Sequence, residues 1–139
     1  MLTVAKYVTI TLMVLLILAA SPFVVTLGIN EFRLNRFKSQ IWDIELPEPS
    51  RVLASGSDIR PGAGSADDCL FQVTLVVEVS ARSEAISVFV ERVKSMQFRP
   101  VREHEDGGGP EVFVSRDRLI VTIVVSDGPW KSTFDLRCL

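Results

Sequence analysis

The sequence predicts an α+β protein: an N-terminal transmembrane helix, then a small, mostly antiparallel sheet (β-α-β-β-β-β) with one helix packed on one face. Three observations lead there. An uncharged apolar stretch, "YVTITLMVLLILAASPFVVTLGI" from Tyr7 to Ile29, is long enough for one membrane crossing. Further on, apolar and polar residues alternate in several short runs, the period of a strand with one buried face. Between two such runs, "SEAISVFVERVKSM" switches to helical spacing.

Of the 139 residues, 47% are hydrophobic, and the excess is concentrated in that first stretch. As a helix rising about 1.5 Å per residue, Tyr7–Ile29 covers the roughly 30 Å hydrocarbon core of a bilayer. Residues 1–29 are therefore read as a membrane anchor, with the lipid bilayer as first partner. A cleaved signal peptide is the rival, with Lys6 as its basic end and "LLILAA" as its apolar core. The apolar run continues past Ala20 and Pro22 lies just beyond the small residues, which favours retention. Arg33, Arg36 and Lys38 follow the span while Lys6 precedes it, a bias that would keep the following domain in the cytoplasm. The cysteines argue for the opposite side, and an extracytoplasmic domain on a single-pass anchor in the cell membrane is expected.

Residues 30–46 keep Leu34, Phe37, Ile41 and Ile44 at spacings of three and four, with basic residues between them. They read as a juxtamembrane amphipathic helix continuing from the bilayer, with Phe32, Phe37 and Trp42 at headgroup level. Residues 47–66, "PEPSRVLASGSDIRPGAGSA", are rich in Pro, Gly, Ser and Ala and are expected to be a linker, with "SRVL" as a segment able to add an edge strand.

Residues 67–139 form the expected folded domain. In "LFQVTLVVEVS", Phe71, Val73, Leu75, Val77 and Val79 share one face and Gln72, Thr74 and Glu78 the other. The helix that follows sets Ile86, Phe89, Val90, Val93 and Met96 on one stripe, with Ser83 as N-cap. "FRPVRE" and "EVFVS" read as strands flanking the glycine-rich "DGGGP", the first weakened by Pro100. "RLIVTIVVS" places Leu119, Val121, Ile123 and Val125 in phase; "DGPW" is expected to turn the chain; "TFDLRCL" alternates Phe134, Leu136 and Cys138 as a last strand.

The two cysteines are Cys69, at the start of the first strand, and Cys138, in the last. Parity places each in phase with core residues. If the helix is a crossover, the last strand is antiparallel to the first, and an order 1-5-4-3-2 sets Cys69 beside Cys138. A Cys69–Cys138 disulfide is therefore expected. In the chain-entropy model it would stabilise so small a domain by about 4 kcal/mol, and it implies an oxidising compartment.

Chemistry is harder to find. The single histidine, His104, sits among Glu103, Glu105, Asp106 and Glu111, but the spacing matches no metal motif. No nucleophile elbow, phosphate loop, dinucleotide fingerprint or H-E-x-x-H is present, and Asp67–Asp68 is a weak acid–base candidate. From Asp67 onward there are 12 acidic and 9 basic residues, a net charge of −3, which argues against nucleic acid. Arg99, Arg102, Arg116 and Arg118 read as outward sheet positions rather than one basic patch. We expect no catalytic, cofactor or metal site. The expected role is non-enzymatic: an anchored domain that binds or scaffolds an envelope partner. The alternatives are a small hydrolase or metal-dependent enzyme centred on His104, or the same domain facing the cytoplasm.

Overall fold

The computed structural model describes residues 2–62, 68–80, 83–101, 109–117, 119–131 and 135–138. It begins with one continuous helix, α1 (Leu2–Trp42), followed by β1 (Ser50–Pro61), β2 (Asp68–Val79), α2 (Ser83–Ser95), β3 (Glu111–Asp117), β4 (Ile120–Lys131) and a single 3-10 turn (Leu136–Cys138). The strands form one antiparallel sheet in the order β1-β2-β4-β3. The fold is α+β with a small open sheet.

The first half of α1 is long and apolar enough to cross a membrane. Its side chains point outward, with Leu16 66% and Ile17 67% exposed, so no other part of the chain among the described residues covers it. Pro22 sits inside this helix. Proline has no N–H to give the carbonyl of Leu18, and the hydroxyl of Ser21 donates to that carbonyl instead at 2.9 Å, which keeps the helix continuous.

Beyond the apolar half, α1 becomes part of the domain. Leu34, Phe37 and Ile41, with Ile44 just past the helix, are buried in the same core as Ile86, Phe89 and Val93 of α2. Each fully buried apolar side chain contributes about 1.5–3 kcal/mol. The helix continues from the apolar half as expected, but Phe37, expected at headgroup level, lies in the protein core, and two helices share the covered sheet face where one was expected. Phe32 and Trp42 do stay exposed.

The sheet presents Cys69, Phe71, Val73, Leu75, Val77 and Val79 from β2 to these helices, together with Val121, Ile123 and Val125 from β4. That face was legible as read, except that Leu119 lies in the turn before β4, half exposed, where its carbonyl accepts a 2.7 Å hydrogen bond from Val79 N. α2 holds the expected stripe, and Glu84, Ser87, Glu91, Arg92 and Lys94 face away from the core.

The other differences are in the irregular segments. The stretch expected as linker contains β1, a full edge strand paired along β2 from Ser50↔Val79 to Pro61↔Cys69, with a bulge between Val52 and Ala54. Ile59 is its one buried side chain. Small and polar residues suffice here because the ladder is made by backbone groups. The expected strand at "FRPVRE" is absent in its described part, up to Val101. The backbone of Arg99 instead exchanges two hydrogen bonds with the Gln40 side chain, donating to Oε1 at 2.8 Å and accepting from Nε2 at 3.2 Å. One glutamine amide thus does for this segment what a neighbouring strand would have done.

"DGPW" is not a turn, because β4 runs straight through it to Lys131. The register shifts there between Cys69 and Phe71 of β2, and Gly128 sits at the shift with φ at +142°. A Cβ at this position would stand 2.7 Å from the Cys69 carbonyl oxygen, so only glycine fits. The expected last strand, in its described part, is the 3-10 turn Leu136–Cys138, and the strand order 1-5-4-3-2 is replaced accordingly.

Candidate functional site

The chemistry-bearing residues collect at one end of the domain, where the apolar half of α1 enters it. Asp135 is fully buried there and opens the C-terminal turn. Its Oδ1 accepts from the backbone N of Arg137 at 3.1 Å, and Cys138 N donates to its carbonyl at 2.9 Å. An aspartate bonding the backbone two residues on is a local alternative to a strand. This is why Leu136–Cys138 coils into a 3-10 turn, burying Cys138 and leaving Leu136 58% exposed.

The turn is clamped to α1 by charge. Arg137 grips Asp135 with a two-pronged contact, Nε to Oδ1 and Nη2 to Oδ2, both at 3.0 Å, and its Nη1 reaches Glu31 at 3.0 Å. Asn30, itself buried, donates from Nδ2 to the Asp135 Oδ2 at 2.7 Å. Burial pushes the Asp135 carboxyl up. The hydrogen bonds from Arg137 and Asn30 outweigh it and hold the group below its ordinary value. The Arg137 guanidinium is held more firmly protonated by Asp135, against its own burial, with Glu31 adding to the effect.

Beside this clamp, Cys69 and Cys138 lie at disulfide distance, with Cα atoms 5.1 Å apart and both residues buried. The parity reading placed both on the core side. The route differs: Cys69 meets a 3-10 turn, since the neighbours of β2 in the sheet are β1 and β4. Ligand atoms of Cys69, Asp135 and Cys138 fall within 4.8 Å of one another, a spacing that would suit a cation. Both Asp135 oxygens are already taken by Arg137 and Asn30, and the guanidinium beside them opposes a positive ion.

The helix-free face of the sheet is the second surface of note. Phe113 of β3 is 75% exposed and stands opposite Val124 of β4, with Val76 of β2 paired to the adjacent Thr122. Glu111, Gln72 and Asp58 lie along one side of this apolar centre, and the Arg51–Glu78 ion pair at 3.0 Å lies toward the other. Sequence reasoning assigned Gln72 and Glu78 to the outward face, left Arg51 and Asp58 in the expected linker, and did not single out Phe113, whose signal is a large aromatic at an outward strand position.

His104, the centre of the enzymatic alternative, lies outside the described residues, as do Asp67, Arg102 and Arg118. Of the four arginines, the described two are held apart by different helices: Arg116 donates to the Ser87 hydroxyl of α2 at 3.1 Å, whereas Arg99 is fastened to Gln40 of α1. Comparisons with protein families, curated proteins and solved structures find no match.

Proposed function

We propose that this protein is a single-pass, membrane-anchored binding module whose small domain lies outside the cytoplasm and engages an envelope protein through its helix-free sheet face. The observation that carries the anchoring is the exposure of Tyr7–Ile29 on a helix that continues unbroken into the domain core. Leaving so much apolar surface in water would be costly, and a bilayer removes that cost. The approach of Cys69 and Cys138 to disulfide distance supports an oxidising compartment for the domain, against the charge bias of Arg33, Arg36 and Lys38.

The rigid connection supports a presenting role. Because α1 has no linker between its apolar half and the core, the sheet stands at a fixed height above the membrane. Phe113, opposite Val124 and with polar residues toward both ends of the face, then serves as the apolar anchor of an interface. The module needs no catalytic group, and His104→Ala is expected to leave its biological role intact. A photo-crosslinking side chain placed at Phe113 in the native membrane should capture an envelope protein, while the same group at Val88, exposed on α2, should not. No adduct at Phe113, or equal adducts at both, would remove the sheet face from the account.

A further inference from the structure

A cavity of about 600 Å³ opens between α1 and the strap at 99–101. Phe32, Arg33, Arg36 and Gln40 line it from the helix, and Arg99 and Val101 from the strap. Ile29, the last residue of the uncharged stretch, lies at its lower rim. The cavity therefore begins where the apolar span ends and has three arginines in its lining. None of the three is in an ion pair among the described residues, although the same domain pairs Arg51, Arg60, Arg92 and Arg137 with carboxylates.

We propose that this cleft binds the phosphate of an anionic membrane phospholipid. The inference rests on the anchored reading above. At about 1.5 Å per residue, Arg33 stands roughly 6 Å and Arg36 roughly 10 Å beyond Ile29 along the helix. A headgroup layer of about 5–7 Å on each side of the hydrocarbon core puts phosphates level with Arg33, and the long Arg36 side chain can reach back to them from just above. Arginine forks match phosphate oxygens in pairs, and three of them favour a headgroup with net negative charge over a zwitterionic one. Arg99 separates this arrangement from a juxtamembrane basic cluster, because it arrives from a segment 59 residues away, fixed by its two bonds to Gln40. Phe32, 70% exposed beside the arginines, is placed to lie along the glycerol and upper acyl carbons of the same lipid.

The test uses the full chain purified in a neutral detergent, with bound lipid counted by native mass spectrometry during titration with phosphatidylglycerol, phosphatidylcholine or inorganic phosphate. Phosphatidylglycerol should bind at least fivefold tighter than phosphatidylcholine, and inorganic phosphate should not displace it at equal concentration. Arg99→Gln and Arg33→Gln should each lower the affinity for phosphatidylglycerol at least threefold. Lys38→Gln should leave it unchanged, because the Lys38 ammonium sits outside the cleft, 4.5 Å from the centre of the Trp42 ring. Equal losses in Arg99→Gln and Lys38→Gln, or none in Arg99→Gln, would overturn the cleft in favour of diffuse charge. Phosphate competing as well as the lipid would overturn the lipid assignment. Alkaline carbonate washing of membranes reads the anchoring separately: a wild-type protein that stays in the pellet but fails the titration sinks this proposal alone, and one that washes off sinks the anchored reading.

Discussion

Asn30 donates a 2.7 Å hydrogen bond to Oδ2 of Asp135, joining the residue that follows the apolar stretch to the one that opens the C-terminal turn. Both are buried, so the bond forms away from competing water. Its partner Arg137 adds a second tie to the same helix through Glu31. The start of the domain and its last described turn are held by one polar network.

That network should behave as a unit. Asn30→Ala and Asp135→Ala are each expected to destabilise the protein, and the double variant to lose less than the sum, with a coupling of about 1–2 kcal/mol by urea unfolding in detergent. Strict additivity would mean the hydrogen bond contributes nothing to stability.

Acid should undo the clamp. The folded Asp135 carboxyl is held below its ordinary value, so its contribution is complete above about pH 4, where the unfolded group ionises. It is lost as pH falls through the lower folded-state value. Unfolding midpoints followed from pH 6 down to pH 2 should fall more steeply for wild type than for Asp135→Asn, which has no proton to take up.

Gly128 and Gly56 make a matched pair. A Cβ at Gly128 meets the Cys69 carbonyl in a backbone conformation that side chains avoid, whereas at Gly56 it meets open space. Gly128→Ala should cost about 2 kcal/mol or more, and Gly56→Ala should be close to neutral or slightly stabilising. Similar melting temperatures for the two variants would contradict the bulge geometry.

The domain should not fold from Asp67 onward. Such a fragment lacks Phe37 and Ile41, which are at most 1% exposed, and the whole of β1. It is expected to give no cooperative melt, whereas a fragment starting at Asn30 should. Within the full chain, Phe37→Ala should cost about 3–5 kcal/mol. A cooperative melt from the shorter fragment would restore the tether reading of the segment before it.

These expectations trace where the sequence was legible. β2, α2 and the middle of β4 carry strong period-two or helical patterns, because each buries one face against a continuous core. The stripe of Leu34, Phe37, Ile41 and Ile44 was visible too, but periodicity says only that a face is buried and not whether lipid or protein buries it. β1 was legible only as a possible edge segment. A strand whose bonds are all backbone can be written in "SRVLASGSDIRP", which has almost no apolar alternation. "TFDLRCL" erred in the other direction: Phe134, which lies outside the described residues, Leu136 and Cys138 alternate as in a strand, but the Asp135 side chain captures its own backbone first. The approach of Cys69 and Cys138 was anticipated correctly from an incorrect strand order, because burial of both thiols constrained the answer more than topology did. The clamp of Asn30, Glu31, Asp135 and Arg137 was not foreseen, since nothing local links residues more than 100 positions apart.

If α1 anchors the protein and leaves its domain on the oxidising side of the membrane, Cys69 and Cys138 are joined as a disulfide in the native protein. The most direct test is peptide mapping of the protein recovered from native membranes after an alkaline carbonate wash, alkylated without reductant. The full chain is expected to stay in the membrane pellet and to yield a Cys69–Cys138 linked peptide, with neither thiol alkylated. Protein released by the wash, or recovered with both cysteines alkylated, would contradict it.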